Sequence, residues 1–326
     1  MISPDDIFNI TSQKQFEKIA LKVFRHQHEN NIVYREFCNF LGTDKQQVKS
    51  LEAIPFLPIQ FFKSRDVITG AGSVQETFTS SGTTGAITSK HLVTDVSWYE
   101  RSFRQAFSQF YGNIEDYVVL ALLPSYLERE GSSLIYMVND LIEGSNNPDS
   151  GFYLHNYDEL IQKLITLDES GQNVLLIGVT YALLDLVEKQ QFQLQNTVIM
   201  ETGGMKGKRK EMIREELHEI LCSGFGVSSI HSEYGMTELL SQAYSLGDGI
   251  FECPNWMHIL TRDTEDALSY VGFGKTGGVN VIDLANINSC SFIATQDLGK
   301  KYPDGSFEVL GRFDNSDIRG CNLMVL

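Results

Sequence analysis

The sequence predicts an α/β fold built on a mostly parallel sheet, with a smaller β-rich lobe towards the C-terminal end. Three observations lead there. The apolar runs 117-YVVLALLP-124, 174-VLLIGV-179 and 197-TVIMETGG-204 lack polar alternation, so they read as strands covered on both faces. Stretches of helical periodicity lie between them, and strand–helix alternation marks a parallel sheet. In the last third, 278-GVNVIDLA-285, 290-CSFIATQDLG-299 and 306-SFEVLGR-312 are short β-rich segments separated by turn signals such as Pro303-Asp304-Gly305.

The elements follow in order. A strand is expected at 74-VQETF-78, before a run rich in Ser, Thr and Gly. In 94-TDVSWYERSFRQAFSQF-110, Val96, Tyr99, Phe103, Phe107 and Phe110 recur at three- and four-residue spacing, which predicts an amphipathic helix. Ser97 with Glu100 has the spacing of a capping box at its start. A second helix is expected over 208-KRKEMIREELHEILCSGFG-226, with Ile213, Leu217, Ile220 and Leu221 on one face and a stop at Gly224 or Gly226. The whole reads as a single unit over 1–326, with sub-lobes of about 1–250 and 251–326.

Bulk properties narrow the function. With 326 residues and a formal net charge of −16, the chain is a poor candidate for nonspecific nucleic-acid binding, which needs Lys and Arg to displace counterions. No apolar run reaches the length of a membrane span, and the N-terminal residues lack the basic-then-apolar pattern of a signal peptide. Five cysteines without a CxxC pair argue for reduced thiols in a cytoplasm.

Local chemistry is more informative. In 79-TSSGTTG-85, Gly82 and Gly85 permit left-handed backbone, so that successive N–H groups can face one anion. Ser80, Ser81, Thr83 and Thr84 add short hydroxyl donors, and Lys90 a point charge. The bland alternative is a solvated surface loop. The order Ser-Gly-Thr-Thr-Gly after a strand favours a di- or triphosphate site.

This loop resembles the signature of the adenylate-forming enzymes, the superfamily of acyl-CoA synthetases, luciferases and adenylation domains. Other elements stand in matching order. Tyr234-Gly235-Met236-Thr237-Glu238 resembles the element whose Tyr stacks on adenine, whose Thr touches the α-phosphate and whose Glu holds Mg²⁺. Asp297 resembles the aspartate that takes both ribose hydroxyls, and Arg312 the hinge arginine that approaches ribose and phosphate. The turn 201-ETGGM-205 stands where the family places a Gly-rich segment against adenine, which implicates Gly203 and Gly204. The resemblance therefore implies ATP and Mg²⁺, with nucleotide contacts from Thr79 through Gly85 as well.

The stretches 123-LPSYLEREGSSLIYMVNDLI-142, 201-ETGGMKGKRKEMIREELHEIL-221 and 317-DIRGCNLMVL-326 are similar to the acyl-protein synthetase branch, which is also similar to phenylacetate–CoA ligases. That branch implies activation of a fatty or aryl carboxylic acid and transfer to a thiol. The acceptor would be the chain's own cysteine, a partner reductase or acyl carrier protein, or CoA. Cys321 is the expected acceptor, with Arg319 the nearest positive neighbour; an inert core thiol is the alternative. The mobile C-terminal domain of the superfamily, with its lysine, is expected to be absent, and Lys206 within 206-KGKRK-210 is the stand-in considered. His231 is expected to border the acyl pocket. The rival functions are an acyl- or aryl-CoA ligase and a non-catalytic nucleotide or acyl binder.

Two patterns are decoys. In 272-GFGKTGG-278 the Gly-Lys-Thr lacks the earlier glycine of a phosphate-binding P-loop, Ser269 standing there, and runs into a strand. His91 and Asp95 match a loose His-x-x-x-Asp pattern, but Asp95 fits a helix cap better.

Overall fold

The computed structural model describes residues 2–80, 88–124, 130–203, 208–210 and 212–313. Its strands are β1 (Leu57–Pro58), β2 (Glu76–Thr79), β3 (Lys90–Val93), β4 (Val118–Leu122), β5 (Gly151–Tyr153), β6 (Val174–Val179), β7 (Thr197–Thr202), β8 (His231–Tyr234), β9 (Ala243–Ser245), β10 (Ile250–Glu252), β11 (Met257–Arg262), β12 (Thr276–Asp283), β13 (Phe292–Lys301) and β14 (Phe307–Arg312). The three apolar runs become β4, β6 and β7. Every residue of β4 and β6 is buried, as their unbroken hydrophobicity requires.

The main sheet runs β11-β12-β13-β14-β10-β9-β8-β7-β6-β4-β5, with β1 added parallel to β13. From β5 to β8 the pairs are parallel, and from β8 to β11 they are antiparallel. The β-rich last third thus extends the same sheet, and the change of direction falls between β8 and β9. The tight Asp304–Gly305 turn between β13 and β14 is fastened by the Asp304 carboxylate, which accepts from Ser306 N at 3.0 Å. β2 and β3 form a separate hairpin, joined by residues 81–87, which lie outside the described residues.

Helices confirm the periodicity and correct its detail. Helix Ser97–Tyr111 buries Tyr99, Phe103 and Phe107. The Ser97–Glu100 capping box does not form, because the helix begins one residue too early, at Ser97 itself, for Ser97 to cap it. Asp95 does that work, accepting from Ser97 N at 3.2 Å and Ser97 Oγ at 2.6 Å. The second helix is Arg214–Phe225, six residues shorter at its start than the pattern predicts. Its buried face is Leu217, Leu221, Gly224 and Phe225, while Ile213 and Ile220 are exposed. Gly226 ends it at φ +70°, where a Cβ would lie 2.7 Å from Phe192 O. Because the helix starts at Arg214, Lys208 and Arg209 do not oppose its dipole. Arg209 pairs instead with Asp185 (Nε–Oδ1 3.0 Å) and Glu188 (Nη1–Oε1 2.6 Å).

The N-terminal helices Gln13–Asn30 and Ile32–Phe40 support the site from behind. Two buried amides connect them to the turn after β12. Gln27 Nε2 donates to Ile287 O at 2.9 Å and Gln27 Oε1 accepts from Ser291 N at 3.0 Å. Asn31, which also caps the second of these helices, donates to Ser289 O at 2.8 Å. Buried polar groups matched this fully fix the turn in one position.

Candidate active site

The residues singled out by the sequence gather at the C-terminal ends of β7 and β8, facing the β13–β14 hairpin. In open α/β sheets this edge is where ligands bind. Tyr234 is the last residue of β8, and its hydroxyl donates to Asp297 Oδ2 at 2.8 Å. Asp297 lies directly opposite Arg312 across the β13–β14 pair, and Arg312 Nε donates to Asp297 Oδ1 at 3.3 Å. The Arg312 side chain is 81% exposed. So three residues separated by up to 78 positions become one cluster, with the arginine open to solvent. The Tyr234 ring packs edge-on against Phe251 and Phe307, which holds its plane.

Arg262 was not anticipated. It is buried beside this cluster, and its guanidinium donates to Val279 O (2.9 Å), Asn280 Oδ1 (2.7 Å) and Thr295 O (2.6 Å). Burial pulls its pKa down, while the Asp297 carboxylate pulls it back up.

Past Tyr234 the chain runs through Gly235, Met236 and Thr237 to Glu238, and this segment is pinned from behind. His91 Nδ1 lies 2.8 Å from Thr237 O, and His91 Nε2 lies 3.0 Å from Asn286 Oδ1. Asn286 Nδ2 donates to Glu238 O at 2.8 Å. Asp283 accepts from Leu240 N (2.7 Å), Ser241 N (3.0 Å), Ser241 Oγ (2.6 Å) and Ala285 N (3.1 Å). Burial pushes the His91 pKa down to about 4 against the pull of Thr237 and Asn286. It pushes Asp283 up to about 6 against its four donors. His91, set aside as part of a loose motif, is thus the tie between the hairpin under the hydroxyl loop and the Thr237–Glu238 segment.

Glu238 is 5% exposed. Burial raises its pKa, and Ser89, Arg312 and Lys63 oppose the rise. Ser89 also closes the mouth of the hydroxyl loop: Ser89 N donates to Ser80 Oγ at 2.9 Å, and Ser80 N to Ser89 O at 3.1 Å. Thr79 N donates to Gly131 O at 2.8 Å. The base of the loop therefore stands next to Glu238. Among the described residues no group of three or more His, Cys, Asp or Glu could cage a metal. A lone, nearly buried carboxylate suits Mg²⁺, which keeps waters and phosphate oxygens for most of its shell.

On β7, Thr202 Oγ1 donates to Glu233 Oε2 at 2.6 Å, and the Gly203 carbonyl accepts from Thr180 Oγ1. Gly203 adopts φ +68°, as a tight turn at a strand end requires. Burial would raise Glu201, but His218, Arg214 and Ser232 hold it below the usual carboxylate range. Arg214 Nη1 donates to Glu201 Oε1 at 2.6 Å. Glu233 behaves oppositely: burial and the neighbouring Glu201 charge push it up to about 7. His231, half-buried, places Nδ1 3.2 Å from the Tyr111 hydroxyl. Of the remaining expected residues, Ser81, Gly82, Thr83, Thr84, Gly85, Gly204, Lys206 and Cys321 lie outside the described residues.

Comparison with known proteins agrees with this geometry. Structures of 2-hydroxyisobutyryl-CoA ligase, including one with 2-HIB-AMP and CoA, superpose with a TM-score of 0.67 at 13% identity, over 93% of this chain and 70% of theirs. ATP-bound MatB from Rhodopseudomonas palustris superposes at 0.55 and 17% identity, over 74% of this chain and 49% of that one. The fold is that of the adenylate-forming ligases. Within that class, the family described as "Acyl-protein synthetase, LuxE" matches residues 4–112 and 147–326, and the chain belongs to it. A curated relative, the long-chain-fatty-acid–luciferin-component ligase of Vibrio harveyi, is 22% identical over 97% of this chain and 89% of its own length. The protein is therefore a member of a family of ATP-dependent acyl-activating ligases. No helix among the described residues is long and apolar enough to cross a membrane.

Proposed function

We infer that this chain activates a fatty acid with ATP, forming acyl-AMP and diphosphate, and then passes the acyl group to a thiol. The observation that carries this reading is the convergence of Tyr234, Asp297 and Arg312 in one cluster, continuous with Glu238 and with the base of the hydroxyl loop. Asp297 presents a carboxylate suited to two ribose hydroxyls, the Tyr234 ring a face for adenine, and Arg312 a solvent-exposed cation for phosphate. The Ser80–Ser89 pair fixes the start of a loop whose amides and hydroxyls would receive the polyphosphate, with Thr84 among the donors and Thr237 at the α-phosphate. Glu238 would hold Mg²⁺, which offsets charge on the phosphates when bound.

The reaction balances simply. The fatty acid carboxylate attacks the α-phosphorus, a P–O bond to the β-phosphate breaks, and diphosphate leaves. A thiolate then attacks the acyl carbon and expels AMP, forming a thioester. We assign that thiol to Cys321, and to Lys206 the task of supplying positive charge. Cys38, Cys253 and Cys290 are unsuited to the task, because burial pushes each thiol well up, Cys38 and Cys253 to about 12.

Mass spectrometry after incubation with ATP, Mg²⁺ and a fatty acid tests the reading. An acyl adduct on the wild type that is lost in Cys321→Ser supports it. Acyl-CoA formed in the presence of CoA, with no labelled protein, would assign the chain to the CoA ligases instead. Neither product would leave a nucleotide or acyl binder.

A further inference from the structure

We propose that Arg214 is a positioning residue for the base of the nucleotide, acting through Glu201 on the Gly203 turn and through Phe251 on the Tyr234 ring. The proposal rests on the reading of the Tyr234–Asp297–Arg312 cluster as the ATP site, and it adds a residue to that site. Four strands bring the parts together. Glu201 on β7 stands opposite Ser232 on β8, Ser232 opposite Ser245 on β9, and Ser245 opposite Phe251 on β10. These four residues form one row across a single face of the sheet. Two positions further along β8, Tyr234 shares that face with Ser232. Two positions beyond Glu201, Gly203 makes the turn that ends β7.

The Arg214 side chain lies along the row. It enters from the start of helix Arg214–Phe225, and its Nη1 donates to Glu201 Oε1 at 2.6 Å and to Ser232 Oγ at 3.0 Å. The guanidinium carbon sits 5.1 Å from the centre of the Phe251 ring. Small residues keep this path clear. Ser232 and Ser245 are fully buried in the middle of the row, and a Cβ at Gly249 would lie 2.4 Å from Arg214 Cδ. Larger side chains there would fill the sheet face and expel the arginine. Both ends of the row lead to the nucleotide cluster. The Thr180 hydroxyl lies between Glu201 Oε2, at 3.2 Å, and the Gly203 carbonyl, so Glu201 and the turn share one anchor. Phe251 meets the Tyr234 ring edge-on, with centroids 6.0 Å apart. A buried ion pair adds little net stability over apolar packing. What Arg214 supplies that leucine would not is a planar group that fixes a carboxylate at its edge and an aromatic ring by its face.

The test is ATP–diphosphate exchange by the full chain with Arg214→Met and Arg214→Lys, reading kcat, the KM for ATP and the KM for diphosphate separately. Arg214→Met should raise the KM for ATP roughly tenfold or more and leave the KM for diphosphate within about twofold, because only the base end of the cleft is loosened. Arg214→Lys should recover the melting temperature lost in Arg214→Met, by keeping a cation on Glu201. It should still raise the KM for ATP, since an ammonium cannot bond Glu201 and lie flat on Phe251. A purely structural arginine gives a different pattern: fewer folded molecules lower the apparent kcat and leave both KM values alone. That result overturns the proposal, as does an equal rise in both KM values, or a lysine that restores the KM for ATP. Where Arg214→Met fails to fold, Arg214→Lys combined with Phe251→Leu decides. Their effects on the KM for ATP should overlap in the double variant, and effects that multiply independently overturn the coupling. ATP binding without acid, read as a thermal shift across ATP concentrations, separates this role from acyl activation. If no acid drives exchange, but ATP binds the wild type roughly tenfold tighter than Arg214→Lys, acyl activation falls and the role of Arg214 stands. ATP that binds both proteins equally, or neither, overturns it.

Discussion

Replacing Glu233 with glutamine should change how stability depends on pH, and the size of the change follows from the site. Burial and the Glu201 charge lift the Glu233 carboxyl from 4.5 to about 7 in the folded protein. A folded pKa above the unfolded one means that the contribution is fully present below about 4.5 and is lost as pH rises through about 7. At about 1.4 kcal/mol per unit, the lift corresponds to about 3 kcal/mol, which the half-buried position of Glu233 reduces to about 2 kcal/mol. Glu233→Gln removes the titration but keeps an acceptor for Thr202. Melting temperatures of both proteins, measured from pH 5.5 to 8.5 at one ionic strength, should diverge. The variant should gain about 2 °C on the wild type between pH 5.5 and pH 8.5, nearly all of it below about pH 7.5, because roughly one unit of the lift is already spent by pH 5.5 and a chain this size has a large entropy of unfolding. Parallel curves across that range would refute the argument, and would mean that the carboxyl is as well solvated as any surface glutamate.

Other outcomes follow from the same contacts. Asp283→Ala leaves the Leu240, Ser241 and Ala285 amides without their acceptor and should lower stability by about 3 kcal/mol or more, readable in the denaturant midpoint. Gly226→Ala forces a left-handed φ on alanine and a Cβ against Phe192 O, for a loss of about 2 kcal/mol or more by the same measurement. His91→Ala should slow diphosphate exchange roughly a hundredfold, because Thr237 and Glu238 lose the tie that orients them, and the effect should appear in kcat more than in the KM for ATP. Glu238→Gln should weaken the apparent affinity for Mg²⁺ in exchange, with half-saturation moving up by roughly tenfold or more.

Much of the fold was legible because it rests on local pattern. The runs that become β4, β6 and β7 are uniformly apolar because both faces of a central parallel strand are covered, and that leaves a mark in any short window. The spatial grouping of Tyr234, Asp297 and Arg312 was legible for a different reason: these residues and Glu238 stand in short motifs whose order matches a known family. Errors arose where local pattern competes with tertiary context. Ile213 and Ile220 fit a helical stripe, yet the helix packs through Leu217, Leu221 and Phe225, and the two isoleucines face solvent. Ser97 and Glu100 had capping-box spacing, but Ser97 is already the first helical residue and Asp95 bonds its amide and hydroxyl. What could not be read at all was the support behind the site. His91 meets Asn286 across 195 residues and Gln27 meets Ser291 across 264, and single polar residues at such distances leave no periodic trace. Arg262 was missed for the same reason, since a lone buried arginine looks like any surface one until its burial is known.

The most direct test of the central claim, that this cleft joins a carboxylic acid to AMP, is exchange of labelled diphosphate into ATP across fatty, aryl and amino acids. The account predicts exchange that requires Mg²⁺ and a fatty acid and is abolished in Asp297→Ala and Glu238→Ala proteins that still fold. Exchange that persists in both variants, or none with any acid while the protein remains folded and binds ATP, would contradict it.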